Sequence, residues 1–263
     1  MVFWKKLRDY IKNKALSEMA SELKTAINGI DVPIIIISYN NYVYVENMTL
    51  QLNRLGVVPI IIDNNSTDSD SRKALHNLND SKKARVIFGK FNFGYRVGFM
   101  SPLYETLPNF FGYTDPDLAF EDNIPESFVE DFINLTEKYE IYKVGCALSL
   151  SKEIGKDLYM TTPKQRKPFY VAPKKFTVAE WESRFWNMQI NDDQFELYAA
   201  PIDTTFAIYN KKYYFNNLLD AIRVAGRYSV THLPWHPDID IMNKEQSLAY
   251  YKNNNSNSWR TKN

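Results

Sequence analysis

Apolar positions in this chain fall into two kinds of stretch. Some form short unbroken runs, and others recur with the helical period. The first run, VPIIIIS at residues 32–38, has no polar alternation, as expected of a strand covered on both faces in a parallel sheet. Residues 42–56, YVYVENMTLQLNRLG, read as a helix ended by Gly56. VVPIIIDNN (57–65) is a second buried strand, and DSDSRKALHNLND (68–80) a helix opened by Asp and Ser. A third strand follows at 84–91 and a third helix at 97–108. FFGYTDPDLAF (110–120) reads as a fourth strand with its carboxyl end at Asp115. A helix over 125–140 is next, with Glu121 and Asp122 near its start as capping groups, and YKVGCALSL (142–150) is another strand. Such strand–helix units predict an α/β fold with an open, mostly parallel, Rossmann-like twisted sheet flanked by helices.

The flanking regions differ. Residues 2–28 read as an amphipathic helix, with Phe3, Trp4, Leu7, Ile11, Leu16, Met19 and Leu23 near one face among Lys5, Lys6, Arg8, Lys12 and Lys14. Such a helix either docks on the domain or makes a peripheral membrane contact. Beyond residue 150 the pattern loosens into a less regular region. A Pro- and Lys-rich loop is expected at 161–176, a helix at 178–190, a strand at 198–212 and a helix at 213–225. The Asn-rich end reads as a polar flexible tail. The division expected is 1–28, 29–150, 151–245 and 246–263, with 29–150 and 151–245 as halves of one domain.

Charge and composition exclude some classes. A formal net charge of +1 offers no global attraction for nucleic acid. The single cysteine, Cys146, forms no internal disulfide and sits in an apolar run as a small hydrophobe. No signal peptide is apparent and the longest apolar run is too short to span a bilayer. The chain is therefore expected to be cytoplasmic, where the Asn-X-Ser/Thr triplets at Asn47, Asn64, Asn65, Asn79 and Asn134 carry no glycosylation.

The candidate chemistry lies at the strand ends, because ligands of open parallel sheets bind beyond the carboxyl edge. Four consecutive strands finish in polar groups: Ser38-Tyr39-Asn40-Asn41, Asp63 through Asp68, Asn92-Phe93-Gly94-Tyr95-Arg96, and Asp115-Pro116-Asp117. Neither a G-x-G-x-x-G fingerprint nor a P-loop is present, so a nucleotide phosphate must be held another way. A divalent metal, Mn²⁺ or Mg²⁺, does this with one or two carboxylates and the phosphate oxygens. Asp115 and Asp117 could supply those carboxylates, with Pro116 stiffening the link. Each cluster is also good turn chemistry. His76 reads as helix surface. Trp235 reads equally as core or as a ring that stacks on a sugar, and His232 as a site residue or as a structural histidine packed beside Trp235.

The ordered set IIISYNN, IIIDNNSTD, NFGYRVG and YTDPDLAF resembles the GT-A glycosyltransferases, particularly bacterial sequences related to the family 2 enzymes. The likeness covers about 32–120 and is looser through PIDTTFAIYNKK and RYSVTHLPWHPD. It implies a glycosyltransferase moving a sugar from a nucleoside-diphosphate sugar, UDP by default, to a hydroxyl of a glycan or glycolipid acceptor. Bacterial surface polysaccharide or lipooligosaccharide synthesis, on the inner face of the membrane, is the implied setting. By the same resemblance Ser38, Tyr39 and Asn40 contact base and ribose, and Asp63 the base edge. Asn64 and Ser66 close that pocket, while Asp68 caps the next helix. Asn92 and Gly94 line the nucleotide, and Arg96 reaches the diphosphate. Asp115 meets ribose or metal, Asp117 binds metal, and His232 completes the metal shell.

An inverting reaction needs a general base. Asp203 is the candidate, with Asp192, Asp193 and Asp238 as rivals. The Glu-Asp pair of the family 2 pattern has no clear counterpart, NDDQF being nearest, so inversion and retention both stay open. Two other classes stay open: a sugar-nucleotide nucleotidyltransferase, whose Gly-rich loop after strand one is missing from SYNNYVYVEN, and a non-catalytic nucleotide-binding module.

Overall fold

The structure is a computed structural model, and it describes residues 2–150, 154–155, 158–162, 172, 174–215, 220–253 and 259–261. The chain starts with helix α1 (Val2–Ala26), then β1 (Ile34–Ser38), α2 (Tyr42–Arg54), β2 (Ile60–Asp63), α3 (Ser69–Asp80) and β3 (Arg85–Phe88). A short helix α4 (Leu103–Thr106) leads to β4 (Phe110–Thr114), β5 (Leu118–Phe120), α5 (Phe128–Lys138) and β6 (Lys143–Cys146). The remainder comprises β7 (Leu158–Thr161), β8 (Lys175–Thr177), α6 (Val178–Ser183), β9 (Gln189–Ile190), β10 (Leu197–Ala199), β11 (Ala207–Asn210), β12 (Ile222–Val224), β13 (Val230–His232), α7 (Lys244–Asn253) and β14 (Trp259–Thr261).

Nine strands form the central sheet in the order β3-β2-β1-β4-β11-β6-β12-β10-β9. The pairings make β11 and β10 run against the other seven, so the sheet is mostly parallel. The isoleucine runs explain themselves by burial on both faces. Ile34, Ile36 and Ile61 pack with Val45, Met48 and Leu52 of α2, Leu75 of α3 and Phe132 of α5. Ile35, Ile37, Ile60 and Ile62 pack on the other face with Leu16, Met19 and Leu23 of α1 and Leu103 of α4. The period of two sends alternate side chains to opposite layers.

Several elements differ from the sequence expectation. The fourth strand divides into β4 and β5 at Asp115–Asp117. The helix expected over 97–108 is a 3₁₀ turn at Val97–Phe99 and the short α4, with Pro102 at the N-cap, where its missing N–H prevents a continuous helix. Part of 213–225 is strand: Ile222 and Val224 are β-branched and buried in β12. The strand expected over 198–212 is two strands, β10 and β11, and only the first half of 178–190 is α-helix. The chain end is not a plain tail, since 244–253 forms α7 and 259–261 pairs with β7. Tyr250 anchors α7 by packing edge-on against Tyr44 at 5.3 Å. Most of the loop expected over 161–176 lies outside the described residues.

The first helix carries two apolar faces rather than one. Leu16, Met19 and Leu23 are buried, whereas Trp4, Leu7, Tyr10 and Ile11 are exposed. At 3.6 residues per turn the two sets lie roughly 140° apart around the helix.

Candidate functional site

The four polar strand ends come together at the carboxyl edge of β3-β2-β1-β4. Ser38 and Asp63 are paired in register and both are buried. Past β1 the chain enters the left-handed region at Asn40, φ 50°, where asparagine is tolerated. Asn40 then joins the two loops. Its N–H donates to Ser66 Oγ at 2.9 Å, and its Oδ1 accepts from Thr67 N at 2.7 Å and Asp68 N at 3.2 Å.

Asp63 is occupied within its own loop. Its carboxylate accepts from Ser66 N at 3.0 Å and from Ser66 Oγ at 2.5 Å. Burial pushes its carboxyl up, while the Ser66 bonds pull it down. Asp68 caps α3 by accepting from Ser71 N at 2.7 Å. Asn64, also buried, reaches the next strand end. Its Nδ2 donates to Gly94 O at 3.0 Å and its Oδ1 accepts from Phe93 N at 3.2 Å. Gly94 sits at φ 90°, a conformation that side-chain-bearing residues rarely adopt. Asn92 Oδ1 accepts from its N–H at 2.8 Å.

The acidic pair lies between β4 and β5. Asp115 N donates to Thr204 O at 2.8 Å, and the Thr204 hydroxyl donates to Asp115 Oδ2. Burial and the nearby Asp117 hold the Asp115 carboxyl well above the usual carboxylate range, with Thr204 opposing. Asp117 is buried. Its Oδ2 accepts from Tyr250 OH at 3.0 Å and lies 3.5 Å from His232 Nε2. The ladder between β5 and β13 sets that approach by pairing His232 with Leu118. Burial lowers the His232 pKa, with Asp117 opposing, so the imidazole is neutral near pH 7, the form that ligates metals. Its ring tilts on Trp235 at 4.4 Å.

Asp203 directly precedes Thr204, the residue bonded to Asp115. Asp203 Oδ1 accepts from Arg96 Nε at 3.2 Å and Nη2 at 2.5 Å, and its side chain is half exposed. The loop carrying Asp203 and Thr204 rests on two buried cations. Arg223 donates to Pro201 O from Nε at 3.0 Å and Nη2 at 2.7 Å, and Lys143 Nζ donates to Ile202 O. Arg223 also pairs with the buried Glu182. Desolvation pulls the Lys143 pKa down to about 7 and pushes Glu182 up to about 7.

The structure therefore gathers Ser38, Asn40, Asp63, Asn64, Ser66, Asn92, Gly94, Arg96, Asp115, Asp117, Asp203 and His232 around one edge. Of the rival bases, Asp192 is bound by Lys138 at 2.7 Å, Tyr139 at 2.7 Å and two backbone amides. That holds its carboxyl low and leaves it a structural clamp. Asp193 and Asp238 are exposed. His76 is exposed and stacks on Phe88 at 4.5 Å. Sequence reasoning missed Thr204, Tyr250, Lys143 and Arg223. The first neighbours Asp203 in PIDTTFA and so had a local signal. The others reach the site only through tertiary packing.

Among the described residues no three His, Cys, Asp or Glu side chains converge as a ready-made metal cage. The donors present still suit a hard divalent cation. Asp117 Oδ1 is buried and has no hydrogen-bond partner among the described residues, and Mg²⁺-type ions need only one or two carboxylates beside substrate phosphate and water.

No family model and no curated protein matches the sequence. Solved structures with partial similarity include a mannosyltransferase from Pyrobaculum calidifontis in complex with GDP-Man and Mn²⁺. It is 14% identical, with a TM-score of 0.36 over 53% of this chain and 45% of that one. Residues 1–349 of S. aureus TarS are 12% identical, with a TM-score of 0.39 over 69% of this chain and 47% of that one. This chain thus spans less than half the length of either.

Proposed function

We propose that this protein is a metal-dependent glycosyltransferase of the GT-A type, akin to bacterial family 2 enzymes, moving a sugar from a nucleoside diphosphate to an acceptor hydroxyl. The observation that carries the reading is the Asp115–Asp117 pair. Both acids sit at the carboxyl edge of the sheet beside three further polar strand ends, and Asp117 keeps one buried oxygen without a partner among the described residues. A UDP-sugar is the preferred donor and a glycan or glycolipid of surface polysaccharide or lipooligosaccharide synthesis the acceptor, in a cytoplasmic setting.

Asp117, with either Asp115 or His232 as a second donor, would hold Mn²⁺ or Mg²⁺, which would supply positive charge to the leaving diphosphate. Ser38, Tyr39, Asn40 and the loops closed by Asp63, Asn64 and Ser66 bind base and ribose. Asn92 and Gly94 line the nucleotide, and Arg96 shares its guanidinium between Asp203 and the diphosphate. If the transfer inverts the anomeric centre, Asp203, oriented by Arg96, accepts the proton of the acceptor hydroxyl.

The test is calorimetric titration with UDP, GDP, CDP and dTDP, with and without Mn²⁺. One nucleotide should bind in a metal-dependent way, and Asp117→Ala should abolish that dependence. Unchanged affinity in Asp117→Ala would remove the metal assignment. A nucleotide that binds equally well without metal would favour a binding module instead.

A further inference from the structure

The exposed half of α1 finds no use in the site, and its direction is determined by two contacts. Arg85, at the amino end of β3, donates to Ala26 O. Glu18 pairs with Lys90, just past the carboxyl end of β3, at 2.6 Å. The helix therefore runs antiparallel to β3 and reaches the level of the carboxyl edge by Glu18. Trp4 lies fourteen residues further, roughly 21 Å beyond that edge at 1.5 Å per residue. The projecting segment stands on the same side of the sheet as the polar strand ends.

This segment is chemically two-sided. Trp4, Leu7, Tyr10 and Ile11 are 71%, 38%, 67% and 45% exposed. They face away from the stripe of Leu16, Met19 and Leu23 that packs on the sheet. Lys5, Lys6, Arg8, Lys12 and Lys14 surround them, against the single acid Asp9. Apolar side chains ringed by cations suit an anionic bilayer surface, where the rings and aliphatic chains enter the acyl boundary and the cations meet headgroups. The same charge disfavours pairing with a second copy, which would set cation against cation. Among the described residues no helix is long and apolar enough to cross a membrane, so the contact is interfacial.

We infer that residues 4–14 dock on an anionic membrane with the helix axis in the plane of the surface, which holds the carboxyl edge of the sheet beside the bilayer. The docking stands on α1 alone. Its consequence rests on the glycosyltransferase reading: the acceptor hydroxyl is carried at the bilayer surface rather than on a freely diffusing sugar.

The experiment is co-sedimentation of the full chain with vesicles of phosphatidylcholine, with and without phosphatidylglycerol, without nucleotide or metal. Binding should require the anionic lipid and weaken as salt is raised. Leu7→Ser/Ile11→Ser should lower vesicle affinity roughly tenfold or more, and Lys5→Gln/Lys6→Gln roughly fivefold per charge removed. Metal-dependent nucleotide binding, measured without vesicles, should be unchanged in both variants, which separates this inference from the donor-site reading. Equal binding to neutral vesicles, no binding to either, or variants that sediment like the parent would overturn the docking. So would concentration-dependent dimerisation abolished by Leu7→Ser/Ile11→Ser in the absence of lipid, which would make this face a self-association surface.

Discussion

Replacing Lys143 by methionine should make the protein more stable and less active at neutral pH. The ammonium is buried and its pKa falls from 10.5 to about 7, chiefly by desolvation and despite attraction from Asp203 and Asp220. A folded-state pKa below the unfolded value means that stability is fully present above pH 10.5 and is lost as pH falls through 7. At pH 7 the linked cost is on the order of 4 kcal/mol, from about 1.4 kcal/mol per pKa unit. Methionine removes that cost but leaves the Ile202 carbonyl without its Lys143 donor, which takes back about 2 kcal/mol. The net gain is roughly 2 kcal/mol, or roughly 4–8 °C in Tm for a chain of this size. At pH 10 the gain should shrink and turn into a loss, because the parent amine is then neutral in the folded state. Urea unfolding at pH 7 and pH 10 reads the difference directly. Donor turnover should fall at least roughly tenfold, since Asp203 and Thr204 ride on the loop that Lys143 holds. A variant destabilised equally at both pH values, with turnover intact, would refute the reasoning.

Three other outcomes follow from named contacts. Arg223→Met should be destabilised by about 3–5 kcal/mol near pH 8, because Glu182 is left buried without its cation. Glu182 already has a folded pKa raised above 4.5, to about 7, so its contribution is fully present below pH 4.5 and is lost as pH rises through 7. The variant should therefore approach the parent in acid unfolding curves, and adding Glu182→Gln should recover stability at pH 8. Asn64→Ala removes the bridge between the second and third strand ends. It should weaken nucleotide binding by about 1–3 kcal/mol in titration calorimetry. Gly98→Ala should lower stability by about 1–3 kcal/mol in denaturant unfolding: its Cβ would meet Tyr113 Cε2 at 2.3 Å, and the Tyr113 ring is pinned by its hydroxyl to Tyr95 O at 2.7 Å.

The sheet's first half was readable because its signals are local. Ile34–Ile37 and Ile60–Ile62 are buried on both faces, so their runs carry no alternation, and Asp68 announces α3 by capping it. The second half resists the same reading because its determinants are not local. Arg223 interrupts an apolar segment and looks like one face of a helix until its partners, Glu182 and Pro201, are known. Tyr250 lies next to an asparagine-rich stretch that suggests disorder, yet its hydroxyl bonds to Asp117 and its ring meets Tyr44. The apolar residues of α1 do not share one side as their spacing suggests: between Ile11 and Leu16 the phase shifts, and the stripe turns through most of a half-turn.

The position of β11 has a consequence for how the chain is made. It lies between β4 and β6, although it is synthesised about sixty residues after β6. Until residue 210 leaves the ribosome, β4 offers an open edge and β6 has neither of its sheet partners, β11 and β12. The two halves of the sheet are therefore one cooperative unit, and a fragment ending near residue 150 is expected to emerge as an aggregation-prone intermediate rather than a separable domain.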